Sequence, residues 1–231
     1  MTVKQAQVMV VTPHPDDAEF GVAGTVVRWV RAGREVVYVV CSNGDKGTSD
    51  RNLKPEALAG IREKEQLAAA RLLGVREVVF LRHPDQSLEE TPEFRKEIAR
   101  LIRLYLPETV VTADPYRRYI WHRDHRVASR VVLDAVFPYA RDHLAYPDLL
   151  AEGLEPHKVR EVFCWASEAP NYWTDITDVF DIKLAALRCH ESQVGGHFSE
   201  VEGFLRERSR TLAEGQGFEL AEAFHREEII W

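Results

Sequence analysis

Pro13-His14-Pro15-Asp16-Asp17 sets an imidazole and two carboxylates directly after the apolar run at residues 8–11. These are groups that bind a divalent metal or move a proton. A second group, His122-Arg123-Asp124-His125, follows the apolar run at residues 109–112. Together they hold ligands enough for one metal ion, with acid/base groups to spare. His14 and Asp17 are three apart in a turn and can face one point, whereas Asp16, as a neighbour of Asp17, aims elsewhere. If Asp17 ligates, Asp16 stays free as a general base. His122 and His125, three apart at a helix start, share a face. Either completes a two-His, one-carboxylate set with His14 and Asp17 and leaves the other as an acid or electrophile. The competing reading makes Asp16 or Asp17 a helix cap and the two later histidines surface residues.

The elements that must position these groups alternate. Residues 8–11, 36–41, 78–81 and 109–112 are short, β-branched and apolar, and read as strands. Residues 25–32 read as a helix stopped by Gly33. Pro55–Leu73 reads as a helix opened by Pro55 and stopped by Gly74, and Thr91-Pro92 opens another. Strands alternating with helices predict an α/β fold, a mostly parallel sheet with helices on both faces. Each strand is followed by polar residues: His14–Asp17, then 42–47, then His83-Pro84-Asp85, then 114–125. The chemistry is thus expected along the carboxyl edge of the sheet. The second half is less regular. Glu161–Trp165 reads as a strand, 178–189 and 198–212 as helices, and 141–157 as a loop that forms a surface excursion or a lid. The whole chain, 1–231, is read as one domain: a regular βα core over 1–140, completed by 141–231. The spacing Gly21-x-x-Gly24 lacks the rest of a phosphate loop and is read as close packing.

Composition narrows the function classes. The 231 residues carry a net charge of −7, which argues against nucleic acid as a partner. No apolar run is long enough for a membrane span, and the N-terminus lacks the apolar stretch of a signal peptide. Cys41, Cys164 and Cys189 are far apart in the chain and read as buried thiols of a reducing compartment. A cytoplasmic location is expected.

Pro13-His14-Pro15-Asp16-Asp17-Ala18-Glu19 resembles the signature of the LmbE-like, or PIG-L, de-N-acetylase superfamily, and His122-Arg123-Asp124-His125 resembles its second motif. Similar elements follow in the same order. They are Gly24-Thr25, Gly44-Asp45-Lys46-Gly47, Arg62 with Glu65, Asp85, the stretch from Lys183 to His190 with Ser192-Gln193, and Ala221-Glu222-Ala223-Phe224. The resemblance implies a Rossmann-like fold and zinc, or another divalent transition metal, bound by His14, Asp17 and His125. It implies Asp16 as general base, His122 as the residue facing the oxyanion, and Asp124 as the residue holding His122. It raises Arg62, Asp85 and His190 as substrate-binding residues. Some members carry a Tyr two positions before the first His of the second motif; here Ile120 stands between Tyr119 and Trp121. Trp121 and Trp173 are candidates for stacking on a sugar ring.

The function that follows is a metal-dependent hydrolase removing the N-acetyl group from an N-acetylglucosamine-type small molecule, with His122 acting as an imidazolium. A homo-oligomer is expected. The alternatives are a phosphoesterase-type metal hydrolase, which needs a second metal, and a sugar-binding module, which needs neither Asp16 nor His122.

Overall fold

The structure, a computed structural model, describes residues 3–119 and 122–230. Seven strands form one sheet: β1 (Val8–Thr12), β2 (Val36–Ser42), β3 (Glu77–His83), β4 (Thr109–Ala113), β5 (Glu161–Trp165), β6 (Tyr172–Asp175) and β7 (Ala221–Glu228). Their order is β3-β2-β1-β4-β5-β7-β6. The first five run parallel, and β7 joins β5 and β6 antiparallel. The nine α-helices among the described residues are α1 (Asp17–Gly21), α2 (Ala23–Arg31), α3 (Pro55–Leu73), α4 (Pro92–Tyr105), α5 (Arg123–Asp134), α6 (Pro147–Ala151), α7 (Phe180–Arg188), α8 (Glu191–Val194) and α9 (Phe198–Ala213).

Strand alternation builds both faces of the sheet at once. Met9 and Val11 point into a core shared with Ile98 and Ile102 of α4 and Val131 of α5. Val8 and Val10 point into the opposite core, with Val26 of α2, Ala69 of α3 and Leu187 of α7. Residues buried on both sides explain why β1 reads as a continuous apolar run rather than an alternating one. The helix boundaries follow local chemistry. Thr91 Oγ1 accepts from the Phe94 N–H at 3.1 Å, a cap worth about 1 kcal/mol. Gly74 ends α3 at φ 77°, where a side chain would be strained.

The 141–157 segment is neither a free surface excursion nor a lid. Leu149 and Leu154 are buried in the core. Arg103 of α4, itself buried, donates to the carbonyls of Ala140 and Asp142 at 3.0 and 2.9 Å. The segment also contains the short helix α6.

The order places β1 beside β4, with crossovers leaving toward opposite edges. That pair is the topological switch point, where open α/β sheets leave a crevice at the strands' carboxyl ends. His14–Asp17 follow β1, and His122 and His125 follow β4, so both motifs open onto this crevice.

Candidate active site

The turn after β1 carries His14, Asp16 and Asp17, and α1 begins at Asp17. The two carboxylates diverge. Asp17 Oδ2 lies 3.1 Å from His14 Nδ1, and its Oδ1 lies 3.3 Å from His125 Nε2. Asp16 Oδ2 turns instead to Arg62, at 3.2 Å. This divergence comes with an unusual backbone: Asp16 has φ 104°, on the left-handed side that non-glycine residues rarely adopt. Such a conformation costs about 1–3 kcal/mol and persists only where the surroundings hold it.

Those surroundings come from α3. Arg62 donates to the Pro15 carbonyl at 2.5 Å and the Gly44 carbonyl at 3.1 Å, besides meeting Asp16. A Cβ at Gly44 would stand 2.5 Å from the Arg62 guanidinium, so this position, at φ 63°, takes only glycine. One helical turn on, Gln66 accepts the Asp16 N–H at 3.1 Å and donates to Glu19 at 2.9 Å. The second oxygen of Glu19 lies 3.3 Å from His190 Nε2. Gln66, Glu19 and His190 are all buried.

His14 has two differently occupied sides. Nδ1 faces Asp17. Nε2 lies 3.1 Å from Asp85 Oδ1 and 3.5 Å from Asp124 Oδ2, an ion-pair approach without hydrogen-bond alignment. Burial alone would lower the His14 pKa, but Asp124, Asp17 and Asp85 outweigh it and push it up to about 11. Burial likewise opposes the Asp17 carboxylate, yet His125 and His14 hold it well below the usual carboxylate range. Asp16 goes the other way. Burial raises it to about 7 against the pull of Arg62, with the charge of Asp17 adding to the rise.

His122 sits at the N-terminus of α5, and its Nδ1 accepts the Asp124 N–H at 3.3 Å. The neutral ring therefore carries its proton on Nε2. Burial and the charges of His14 and His125 lower its pKa. The expected imidazolium is thus disfavoured, and the neutral tautomer already presents a donor. Asp124 differs from expectation too. Its carboxylate accepts the Gln86 N–H at 2.7 Å and faces His14, and only its backbone meets His122.

Of the residues read as substrate-binding, Arg62, Asp85 and His190 are all buried. Arg62 turns its terminal nitrogens to the Asp16 turn and the Gly44 carbonyl, Asp85 faces His14, and His190 lies behind Glu19. Each supports a neighbour of the reacting groups rather than lining an open surface. Trp173 lies on the edge strand β6, three places from β4. Trp165 of β5 lines the cavity beside Asp17 instead, against Gly21, where a Cβ would stand 2.5 Å from its ring. Gly24 is also a close-packing site, against Ile176. Ile120 and Trp121 lie outside the described residues. Sequence reasoning missed Gln66, whose only signal was its position four residues after Arg62, on the same face of α3.

The later motif residues brace this arrangement. Glu222 of β7 accepts the N–H groups of Gly24 and Thr25 at 3.0 and 2.8 Å, at the start of α2. It also pairs with Lys183 of α7 at 2.6 Å. Glu65 accepts from the Ser192 N–H and hydroxyl at 2.7 and 2.6 Å, fixing α8 on α3.

The residues fit a metal. Three carboxylates surround the single His14 imidazole, and buried atoms of His14, Asp85 and Asp124 lack hydrogen-bond partners. Two groupings meet at His14 with ligand atoms within 4.8 Å of one another: His14 with His122 and His125, and His14 with Asp85 and Asp124.

Residues 9–136 match the family model PIG-L, described as GlcNAc-PI de-N-acetylase. The chain is 37% identical to a diacetylchitobiose deacetylase of Thermococcus kodakarensis, over 87% of this chain and 75% of that protein. It is 28% identical to a probable N-acetyl-alpha-D-glucosaminyl L-malate deacetylase 2 of Bacillus anthracis, over 86% of each. The solved structure of N,N'-diacetylchitobiose deacetylase from Pyrococcus horikoshii superposes with a TM-score of 0.93 and 33% identity, covering 96% of this chain and 84% of that one. Each of these relatives is named as a deacetylase. The chain belongs to the PIG-L family of de-N-acetylases. Among the described residues no helix is long and apolar enough to cross a membrane.

Proposed function

We propose that this chain removes the acetyl group from an N-acetylglucosamine-type amino sugar, with a zinc-type ion held by His14, Asp17 and His125. The Asp17 carboxylate spans the two imidazoles, with one oxygen toward each. The far nitrogen of His14 faces Asp85 and Asp124, as the second nitrogen of a metal-ligating histidine faces a carboxylate. That far side is buried, whereas Asp17 and His125 line a cavity. The bound ion supplies a Lewis acid for the acyl oxygen and acidifies water.

Asp16 supplies the proton transfers. It stands beside Asp17 but turns away from both ligand histidines, and its pKa near 7 suits a base that later acts as an acid. It accepts a proton as water adds to the amide carbon and returns it to the nitrogen as the C–N bond breaks. His122 donates from Nε2 to the oxygen where charge develops, a contribution on the order of 3 kcal/mol. The fully buried grouping of His14, Asp85 and Asp124 shares His14 with the first and has no opening, which disfavours the two-metal phosphoesterase alternative.

The observation that carries the reading is the split of the two adjacent carboxylates, Asp17 to the histidines and Asp16 to Arg62. The substrate class is supported by the names of the relatives. The test is acetate release from N-acetylglucosamine, diacetylchitobiose and N-acetylglucosaminyl malate. Release from at least one, lost on Asp16→Asn, supports the reading; release from none sinks it. A reducing cytoplasmic setting is supported by Cys41, Cys164 and Cys189, all free thiols, the first two buried and Cys189, against expectation, half-buried.

A further inference from the structure

Beside the site lies a cavity of about 170 Å³ that reaches Asp17 and His125 but neither Asp16 nor Arg62. Its apolar wall includes Phe20 of α1 and Trp165 of β5, and two arginines line it, the half-buried Arg117 from the loop after β4 and Arg208 from α9, which keeps an exposed face. The other charges of the lining are accounted for. Lys183 and Glu222 neutralise each other at 2.6 Å, and Asp17 is taken up by the two histidines. Arg117 and Arg208 have no carboxylate partner among the described residues. Neighbouring arginines do: Arg118 with Glu168 at 3.8 Å, Arg206 with Glu202 at 3.4 Å, Arg210 with Glu207 at 3.9 Å. Partial loss of water and the positive charge of Arg117 both press the Arg208 pKa down, while the side chain stays open to solvent on its outer face. Two like charges without a counter-ion on one cavity wall favour an anion between them, and guanidinium groups suit a carboxylate best.

The direction of the amide says which anion. Hydrolysis forms a C–O bond from water and breaks the C–N bond, leaving a carboxylate and a protonated amine. The departing nitrogen takes its proton from Asp16, so the sugar side lies toward Asp16 and Arg62. The acyl side then lies toward Asp17 and His125, where the cavity opens. We propose that this cavity is a carboxylate site on the acyl side, in which Arg117 and Arg208 receive the short carboxylate that the reaction releases. Its methyl group rests against Phe20 and Trp165. The inference rests on the hydrolase reading for the identity of the anion, while the site itself rests on the two arginines.

The test uses purified, metal-containing protein as wild type, Arg117→Gln, Arg208→Gln and the double variant, each checked by thermal melt. Binding of ¹³C-labelled acetate is read by NMR line broadening, and acetate and glucosamine are compared as product inhibitors. The double variant should bind acetate about tenfold more weakly, the loss of charge-assisted hydrogen bonds. Its inhibition by glucosamine should be unchanged, and Arg208→Lys should keep part of the affinity. Equal acetate affinity in wild type and double variant would overturn the proposal, because acetate then sits elsewhere. So would weakened glucosamine inhibition with acetate binding intact, which would turn the arginines toward the sugar. The NMR arm reads the site without turnover, so absence of acetate release from every substrate would count against the hydrolase reading alone.

Discussion

The side-chain oxygen of Gln66 accepts the backbone N–H of Asp16 at 3.1 Å, pinning a residue whose φ is 104°. The same amide donates to Glu19 at 2.9 Å, so it cannot rotate away without leaving buried groups unpaired. Through this side chain, together with Arg62 one turn earlier, α3 fixes the direction in which the Asp16 carboxylate points.

Gln66→Leu should therefore lower kcat by about ten- to a hundredfold, the cost of a misplaced catalytic group. KM and metal content should stay within twofold, because Asp17 keeps its own contacts with His14 and His125. Steady-state kinetics with metal analysis checks this. An unchanged kcat would mean that Arg62 alone holds the turn.

The pH profile should follow Asp16. Its pKa is raised to about 7, and it must be ionised to accept a proton, so kcat/KM should rise with pH along the acid limb. A cation bound alongside favours the ionised form, which sets that limb at or below about 7. The Arg62 charge also favours the ionised form. Arg62→Gln should therefore move the limb to higher pH. A limb that stays in place would assign it to another group.

His157 offers a test on stability. Its ring is half-buried and lies 2.7 Å from the Pro107 carbonyl, and partial burial lowers its pKa from 6.5. The unfolded chain then binds the proton more readily than the folded one, so stability rises with pH in that range. The contribution is complete above 6.5 and is lost as pH falls from there toward the lowered folded value. Melting temperatures at pH 8 and pH 5 should differ less in His157→Gln than in wild type. Equal differences would remove His157 from the acid response.

How far the sequence carried depends on whether a signal was local. Pro55 and Gly74 bracket α3, and its bounds follow directly. The run from Val8 is apolar because β1 is buried on both faces, and it reads as a strand for that reason. β7 escaped notice: Ala-Glu-Ala-Phe-His-Arg-Glu-Glu has no strand alternation, and its place comes from pairing with β5 and β6. The site divides in the same way. His14, Asp16, Asp17, His122 and His125 were legible because short spacings after strands bring them to one crevice. The tasks of Asp85, His190 and Asp124 were not, because each is set by a neighbour distant in the chain: His14, Glu19, and His14 with Gln86.

The central claim, that the two adjacent carboxylates divide ligation from proton transfer, is tested most directly by Asp16→Asn and Asp17→Asn side by side. Metal content and acetate release are measured for both, with and without added zinc. Asp16→Asn should keep its metal and lose about 10²–10⁴-fold in rate, the usual worth of a general base. Asp17→Asn should lose metal, since a neutral amide is the poorer ligand, and should regain part of its activity when zinc is added. Loss of metal from Asp16→Asn with retention in Asp17→Asn would contradict the account, and full activity in both would place the chemistry elsewhere.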